Sequence, residues 1–246
     1  MILPGERLDD LQYQGLKILQ KTEGFRFGTD ALLLADFARI PCPLRGLDMG
    51  SGTGVIALLL AARNPESHFT ALEIQPDMAD MARRSVEMNG LSDRLDVVQG
   101  DLRQAAELLG RCTYDLVVMN PPYCPLGTGP ASPSETKAMA RHSVTCSAQD
   151  MARAAFTVLR NGGRFCAIYP ADRIQELMDA CSDNRLEPKR LRMVQHRVEC
   201  APKRLLLEAV REGKKGINWE APLILYQEDG TYTPEAHAIY YREEKK

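Results

Sequence analysis

Asp48-Met49-Gly50-Ser51-Gly52-Thr53-Gly54 is the stretch that decides how the rest of the chain is read. It follows Arg45-Gly46-Leu47 and leads into Val55-Ile56-Ala57-Leu58-Leu59-Leu60, so a buried strand turns through three alternate glycines into an apolar helix. Glycines after a strand let the backbone approach a ligand closely, and the helix start offers unpaired N–H groups. Two phosphate-binding turns are excluded by spacing. A dinucleotide fingerprint places its third glycine at position six, where Val55 stands, and a P-loop needs a lysine that is absent here.

Outward from this turn, strand and helix alternate from about Leu44 to Tyr169, which implies a parallel sheet covered by helices. Strands are expected at 45–48, 68–73, 95–98, 116–119 and 164–169. Between them lie helices from about Gly54 to Arg63, stopped by Asn64-Pro65, and from Pro76 to Asn89-Gly90. A further helix opens with the capping box Ser147-Ala148-Gln149-Asp150 and runs to Asn161-Gly162-Gly163. Asp172 to Cys181 reads as another helix. Leu191 to Val198 and Arg204 to Arg211 read as a hairpin around Pro202 that closes the sheet edge, and Pro222-Leu223-Ile224-Leu225-Tyr226 as a short strand. The expected architecture is a doubly wound α/β fold. It has a mostly parallel seven-stranded sheet, a C-terminal antiparallel hairpin and a short N-terminal extension. It forms one domain with an extension over 1–43, a core over 44–211 and a tail over 212–246.

The next two strands end in acids. Glu73 comes nineteen residues after Gly54, where a carboxylate can accept both hydroxyls of a ribose beyond the strand ends, and Asp101 follows Val97-Val98-Gln99-Gly100. This Asp-x-Gly-x-Gly-x-Gly turn with its ordered acids resembles the first motif of the class I S-adenosylmethionine methyltransferases. The resemblance implies S-adenosylmethionine as cofactor, contacted by Asp48, Gly50, Gly52, Gly54, Glu73 with its neighbour Ile74, Asp101 with its neighbour Leu102, and Asn120. An acid beside a sulfonium cation is electrostatically sensible.

The fourth strand runs into Asn120-Pro121-Pro122-Tyr123. Prolines alone would terminate a strand, but they explain neither the Asn before them nor the Tyr after. An amino nitrogen conjugated to a ring or carbonyl is a poor nucleophile. The Asn120 side-chain oxygen and the Pro121 carbonyl can accept its two hydrogens and hold it for attack, while Tyr123 stacks on the flat substrate. This chemistry needs neither a metal nor a conventional base. The tetrapeptide resembles the Asn/Asp-Pro-Pro-Tyr/Phe motif of amino-methyltransferases acting on adenine N6, cytosine N4, guanine N2 or the glutamine amide of release factors.

The substrate rests on other residues. Gly24-Phe25-Arg26-Phe27-Gly28-Thr29-Asp30, ahead of Leu32-Leu33-Leu34, resembles the N-terminal motif of the bacterial tRNA(Val) adenine-37 N6-methyltransferase family. The openings Leu8-Asp9-Asp10-Leu11 and Leu16-Lys17-Ile18-Leu19-Gln20 are similar to that family's, as is Ala140-Arg141-His142, although Ser143 stands where many members carry Glu. The resemblance implies that Gly28, Thr29 and Asp30 lie near the methionyl end of the cofactor. A purely local role is also open, with Thr29-Asp30 capping a short helix. Glutamine methylation of a release factor and guanine-N2 methylation of ribosomal RNA remain the alternatives. Only about 43 residues precede the core, too few for the helical domain that release-factor enzymes usually carry.

Bulk properties fit these expectations. Net charge is −2, yet residues 184–215 hold ten Lys/Arg against four Glu, a local +6. Such a stripe is either an RNA footprint, with Lys189, Arg190, Lys203 and Arg204 as its contacts, or a solvated surface of local ion pairs. Seven scattered cysteines and four histidines have no zinc or disulfide spacing, and Cys124 reads as a small apolar filler. No apolar run reaches about 18 residues and no charged leader precedes one. A cytoplasmic, metal-free enzyme acting on tRNA is therefore expected, with no membrane partner, as a monomer or weak homodimer.

Overall fold

Glu6–Asp10 (β1) and Lys17–Lys21 (β2) pair as an antiparallel hairpin in the computed structural model, which describes residues 2–23, 28–38, 44–122 and 146–241. The hairpin was not expected from the sequence, because these short polar runs have no clean alternation. Thr29–Phe37 (α1) follows, then Arg45–Met49 (β3), Val55–Arg63 (α2), His68–Glu73 (β4), Pro76–Met88 (α3) and Leu95–Gln99 (β5). A 3₁₀ turn at Leu102–Gln104 leads into Ala105–Leu109 (α4) and then Tyr114–Met119 (β6). The remaining elements are Ala148–Val158 (α5), Leu159–Pro170 (β7), Ile174–Asp183 (α6), Leu186–Gln195 (β8), Arg204–Arg211 (β9), Asn218–Trp219 (β10), Leu223–Ile224 (β11) and Pro234–Tyr240 (α7).

The hairpin is anchored to α3 by tertiary contacts. Ser85 Oγ accepts from Leu19 N at 2.9 Å, Asn89 bonds both the N–H and the carbonyl of Lys17, and Arg84 pairs with Glu6 at 2.5 Å. A two-stranded hairpin is marginal alone, so this packing supplies what its sequence lacks.

The main sheet runs β10-β8-β9-β7-β6-β3-β4-β5, with β11 also beside β8. β5, β4, β3, β6 and β7 are mutually parallel, while β9 enters antiparallel between β7 and β8. The seven expected strands form the body of this sheet. The C-terminal hairpin does not close its edge, however: β10 and β11 lie parallel alongside β8 and cover part of it. The central strands β3, β4 and β6 are buried almost end to end, because both faces carry helices. Leu116, Val118, Ala71 and Ile168 face α1, α2 and α7, while Leu47, Leu72, Val117 and Phe165 face α5 and α6.

The helix after residue 147 has its full capping box. Ser147 Oγ accepts from Asp150 N at 3.1 Å and Asp150 accepts from Ser147 N at 3.2 Å, a device worth roughly 0.5–2 kcal/mol. It ends at Val158, earlier than the expected Asn161-Gly162-Gly163. Those residues belong instead to an irregular start of β7, where the register jumps between Tyr114↔Leu159 and Leu116↔Arg164 and Gly162 takes φ +76°. Glycine marks a strand irregularity here rather than a helix end.

Candidate active site

The loops that follow β3, β4, β5 and β6 all leave the sheet at the same edge, because those strands are parallel. The chain builds β3, β4 and β5 outward in one direction and then returns to place β6 on the other side of β3. The gap between β3 and β6 is thus a topological switch point, where open α/β sheets form their ligand crevice. Asp48 pairs with Val118, so two residues further along, Gly50 and Asn120 emerge from neighbouring strands, about 5 Å apart in strand spacing. A Cβ added to Gly50 would meet Met119 Cε at 3.6 Å. Glu73 leaves β4 next in line and Asp101 follows β5.

Gly50, Gly52 and Gly54 all take positive φ, at +74°, +57° and +86°. Only glycine enters this conformation without strain, which explains the alternate spacing. The turn is also tied to its acid. Gly52 N donates to Glu73 Oε2 at 2.8 Å, and Gln75 donates from its backbone to Oε1 at 2.9 Å. The buried Glu73 carboxylate is thereby held in one orientation, with acceptor capacity left on both oxygens. Gln75 was not anticipated as part of the site; nothing in its residue type distinguishes it from any polar residue after a strand.

Asp48 is 1% exposed; its Oδ2 accepts from Ala57 N at 3.1 Å, while Oδ1 has no partner. Burial pushes its carboxyl up to about 7, opposed by the Ala57 hydrogen bond and reinforced by the charge of Glu73. The Ser51 hydroxyl is a second buried orphan in the same turn. Asp101 is held by Arg103, whose Nε lies 2.9 Å from Oδ2, and that guanidinium keeps the carboxyl below its usual range. The Arg103 side chain is half exposed. Exposed pairs of this kind contribute little, so a ligand amino group competes readily for Asp101. Ile74 is exposed beside Glu73, and Leu102 is partly buried against the α5 side of the core.

Asn120 is half-buried, Pro121 buried and Pro122 exposed at the end of β6. Tyr123, Cys124, Arg141, His142 and Ser143 lie outside the described residues, as do residues 24–27 of the N-terminal string. Of that string, Gly28 is the N-cap of α1 and makes no side-chain cap, so Thr29 and Asp30 do not cap the helix but are its first residues. Asp30 instead accepts from Arg204 Nε at 2.7 Å. Two expected sites, one for the cofactor and one for RNA, are thus joined in a single ion pair across 174 residues.

Four of the ten cations of the basic segment are held in ion pairs among the described residues. Arg185 pairs with Glu212, Arg192 with Glu235 and Arg204 with Asp30, while Lys189 Nζ donates to the Gly216 carbonyl at 3.2 Å. Arg190 is withdrawn from any RNA footprint. It is 8% exposed, pairs with Glu208 at 2.9 Å and Glu220 at 3.2 Å, donates to the Phe37 carbonyl and sits 3.8 Å over the Phe37 ring. Its charge is what tied it to RNA in the sequence, and the two acids that neutralise it come from β9 and the tail. Arg190→Met removes the cation shared by Glu208 and Glu220 and leaves Glu208 only the longer contact to Arg164 at 3.5 Å, and is expected to lower stability by about 3 kcal/mol, read by urea denaturation. A change below about 1 kcal/mol would mean that the network is not a support for the β8–β9 hairpin.

Comparison with known proteins agrees with this geometry. The methyltransferase small domain family matches residues 24–180. A tRNA1(Val) (adenine(37)-N6)-methyltransferase of Porphyromonas gingivalis is 33% identical over 236 residues, 92% of this chain and 91% of its own length. The one from Photorhabdus laumondii is 32% identical over 212 residues, covering 85% and 84%. Among solved structures, a predicted O-methyltransferase from Agrobacterium tumefaciens superposes with a TM-score of 0.71 over 86% of this chain and 95% of its own, at 24% identity, which speaks to the fold alone. With the glycine turn, the ordered acids and Asn120-Pro121-Pro122 at one sheet edge, and relatives matched over nearly their whole length, the chain belongs to the tRNA1(Val) (adenine(37)-N6)-methyltransferase family.

Proposed function

We propose that this protein transfers a methyl group from S-adenosylmethionine to N6 of adenine 37 in a tRNA1(Val). The observation that carries the reading is the emergence of Asn120 beside Gly50 on adjacent strands at the switch point, which puts an amine-holding group next to a cofactor turn. The turn fits the cofactor: three left-handed glycines leave the main chain open, and the buried Asp48 Oδ1 and Ser51 Oγ lack partners. Glu73 would hold the ribose, Asp101 the adenine amino group with Ile74 and Leu102 beside it, and Gly28, Thr29 and Asp30 the methionyl end. When bound, S-adenosylmethionine supplies an electrophilic methyl group on a sulfonium.

Asn120 accepts one hydrogen of the substrate amine through its side-chain oxygen, and the Pro121 carbonyl accepts the other. These contacts orient the lone pair and favour the positive charge that develops on nitrogen as it attacks. Pro121 and Pro122 fix the backbone, since their φ is locked, and Tyr123 stacks on the base. Extrusion of the adenine into the crevice is needed, because the base otherwise stacks between its neighbours in the RNA loop.

The same reading makes the chain one methyltransferase domain that acts in the cytoplasm, without a metal, as a monomer or weak homodimer. Lys189 and Lys203 are the members of the expected RNA-contact set that make no ion pair among the described residues, and Arg204 reaches RNA only by leaving Asp30. Glu73→Ala is expected to weaken cofactor binding by about 1.5–3 kcal/mol for each charge-assisted hydrogen bond lost, measured by calorimetry. An unchanged affinity would remove Glu73 from the cofactor site. The reading as a whole is tested by incubating the protein with labelled S-adenosylmethionine and bulk tRNA from a strain lacking the enzyme. Label in N6-methyladenosine of tRNA1(Val) supports it; label only in a release factor or in ribosomal guanine would replace it.

A further inference from the structure

Four of the eight tyrosines fall within the last described residues, and two of the four histidines lie against them. His196 packs on Tyr226 with ring centroids 4.5 Å apart, Tyr226 stacks on Tyr232 at 4.8 Å, and Tyr232 meets Tyr240 edge-on at 5.0 Å and Tyr241 at 6.1 Å. His237 lies 5.0 Å from Tyr241. Tyr240 is buried in the core and anchors the row from beneath, whereas His196, His237 and Tyr241 are exposed and Tyr226 and Tyr232 half-buried. Core packing alone does not account for rings that lead outward from the core into solvent.

The position of the row follows from strand register. Met119 at the end of β6 pairs with Ala167, Pro170 at the end of β7 pairs with Arg204, and Arg204 pairs with Val194 near the end of β8. Met119 is level with Leu191 through Ala167 and Leu207, so His196 lies beyond the same sheet edge as Asn120, three strands across and four residues further along, about 20 Å away. Tyr226 is fixed beside it by a backbone bond from Tyr226 N to the His196 carbonyl. Arg197 adjoins the row, its Nε buried without a hydrogen-bond partner, and Lys203 is exposed across the hairpin; among the described residues neither makes an ion pair. Glu199, Glu228 and Asp229, exposed and within three residues of His196 or Tyr226 in the chain, offset these cations.

We propose that this row of rings is a stacking platform for unpaired bases of the substrate RNA that flank the extruded adenine. The inference rests on the tRNA-methylating function argued above. Every base has a π-face, so aromatic rings hold single-stranded RNA loops without a sequence code. Because the rim is nearly neutral, the platform contributes through stacking rather than through release of counterions.

The test compares wild type with H196A, Y241A, the double variant and Y241F, using a tRNA1(Val) transcript at pH 8 and several salt concentrations. The double variant is expected to raise both Kd and KM for tRNA by about 5- to 100-fold. The value of kcat at saturating tRNA should change much less, and Y241F should retain wild-type affinity. The slope of log Kd against log salt should stay as in wild type, because no charge is removed. Wild-type RNA affinity in the double variant, with thermal unfolding unaltered, overturns the platform while leaving the methyltransferase reading intact. A wild-type enzyme that neither binds nor methylates the transcript overturns both.

Discussion

Asn120→Ala is expected to lower kcat by about 10³-fold while cofactor affinity stays within a few-fold of wild type. The separation follows from geometry. Asn120 follows β6, whereas the turn and acids that would hold the cofactor lie at the ends of β3, β4 and β5. Losing one acceptor leaves an amine that is free to rotate and whose developing charge is unmatched, so the loss appears in the chemical step. A conservative variant sharpens the point. Asn120→Asp keeps an acceptor oxygen in the same place and should retain a measurable share of turnover. Single-turnover transfer of labelled methyl groups at saturating cofactor and tRNA, with calorimetry of cofactor binding, separates the two effects. An alanine variant with near wild-type turnover would sink the assigned role of the tetrapeptide.

The sheet and its crevice were legible because they rest on local signals. A run such as Leu116-Val117-Val118-Met119 is apolar on both faces only when helices cover both, and Gly50, Gly52 and Gly54 are spaced as left-handed positions require. The order of Glu73 and Asp101 after that turn follows from strand order alone. What stayed illegible depends on contacts distant in sequence. Neither strand of the β1–β2 hairpin announces itself, because its stability comes from Ser85, Asn89 and Arg84 on α3, some seventy residues away.

Charge is only partly legible for the same reason. Ten cations over 184–215 left an RNA footprint and a surface of ion pairs both open, and Asp30, Glu220 and Glu235, which neutralise three of them, lie outside the segment. The ladder of rings from His196 to Tyr241 was equally hidden, since its members are separated by up to 45 positions and meet only where the tail folds against β8. In each case sequence spacing carried nothing about partners brought in by the fold.

Asp48→Asn is expected to stabilise the cofactor-free protein by about 4 kcal/mol above pH 7, raising Tm by about 10 °C, and to leave stability near pH 4 almost unchanged. Asp48 ionises near pH 3.8 when unfolded but only near 7 when folded, because its site is buried and Glu73 adds a like charge. The folded protein therefore binds more protons than the unfolded chain between those values, and stability falls as pH rises through that window. The stabilising contribution of the neutral acid is fully present below pH 3.8 and lost above about 7. Asparagine has no charge to desolvate, and its side-chain oxygen can still accept from Ala57 N. A retained acid that weakens the empty protein points to a role in the loaded one. A cationic ligand beside Asp48 favours the carboxylate, so cofactor binding should release a proton and tighten between pH 5 and 7 in the wild type, and be weaker and flatter in the variant. Thermal unfolding from pH 4 to 8 gives the first half of the result, and calorimetry in buffers of different ionisation enthalpy gives the second. If Asp48→Asn binds the cofactor as wild type does while gaining stability, Asp48 serves only to hold the start of α2, and the sulfonium is balanced elsewhere.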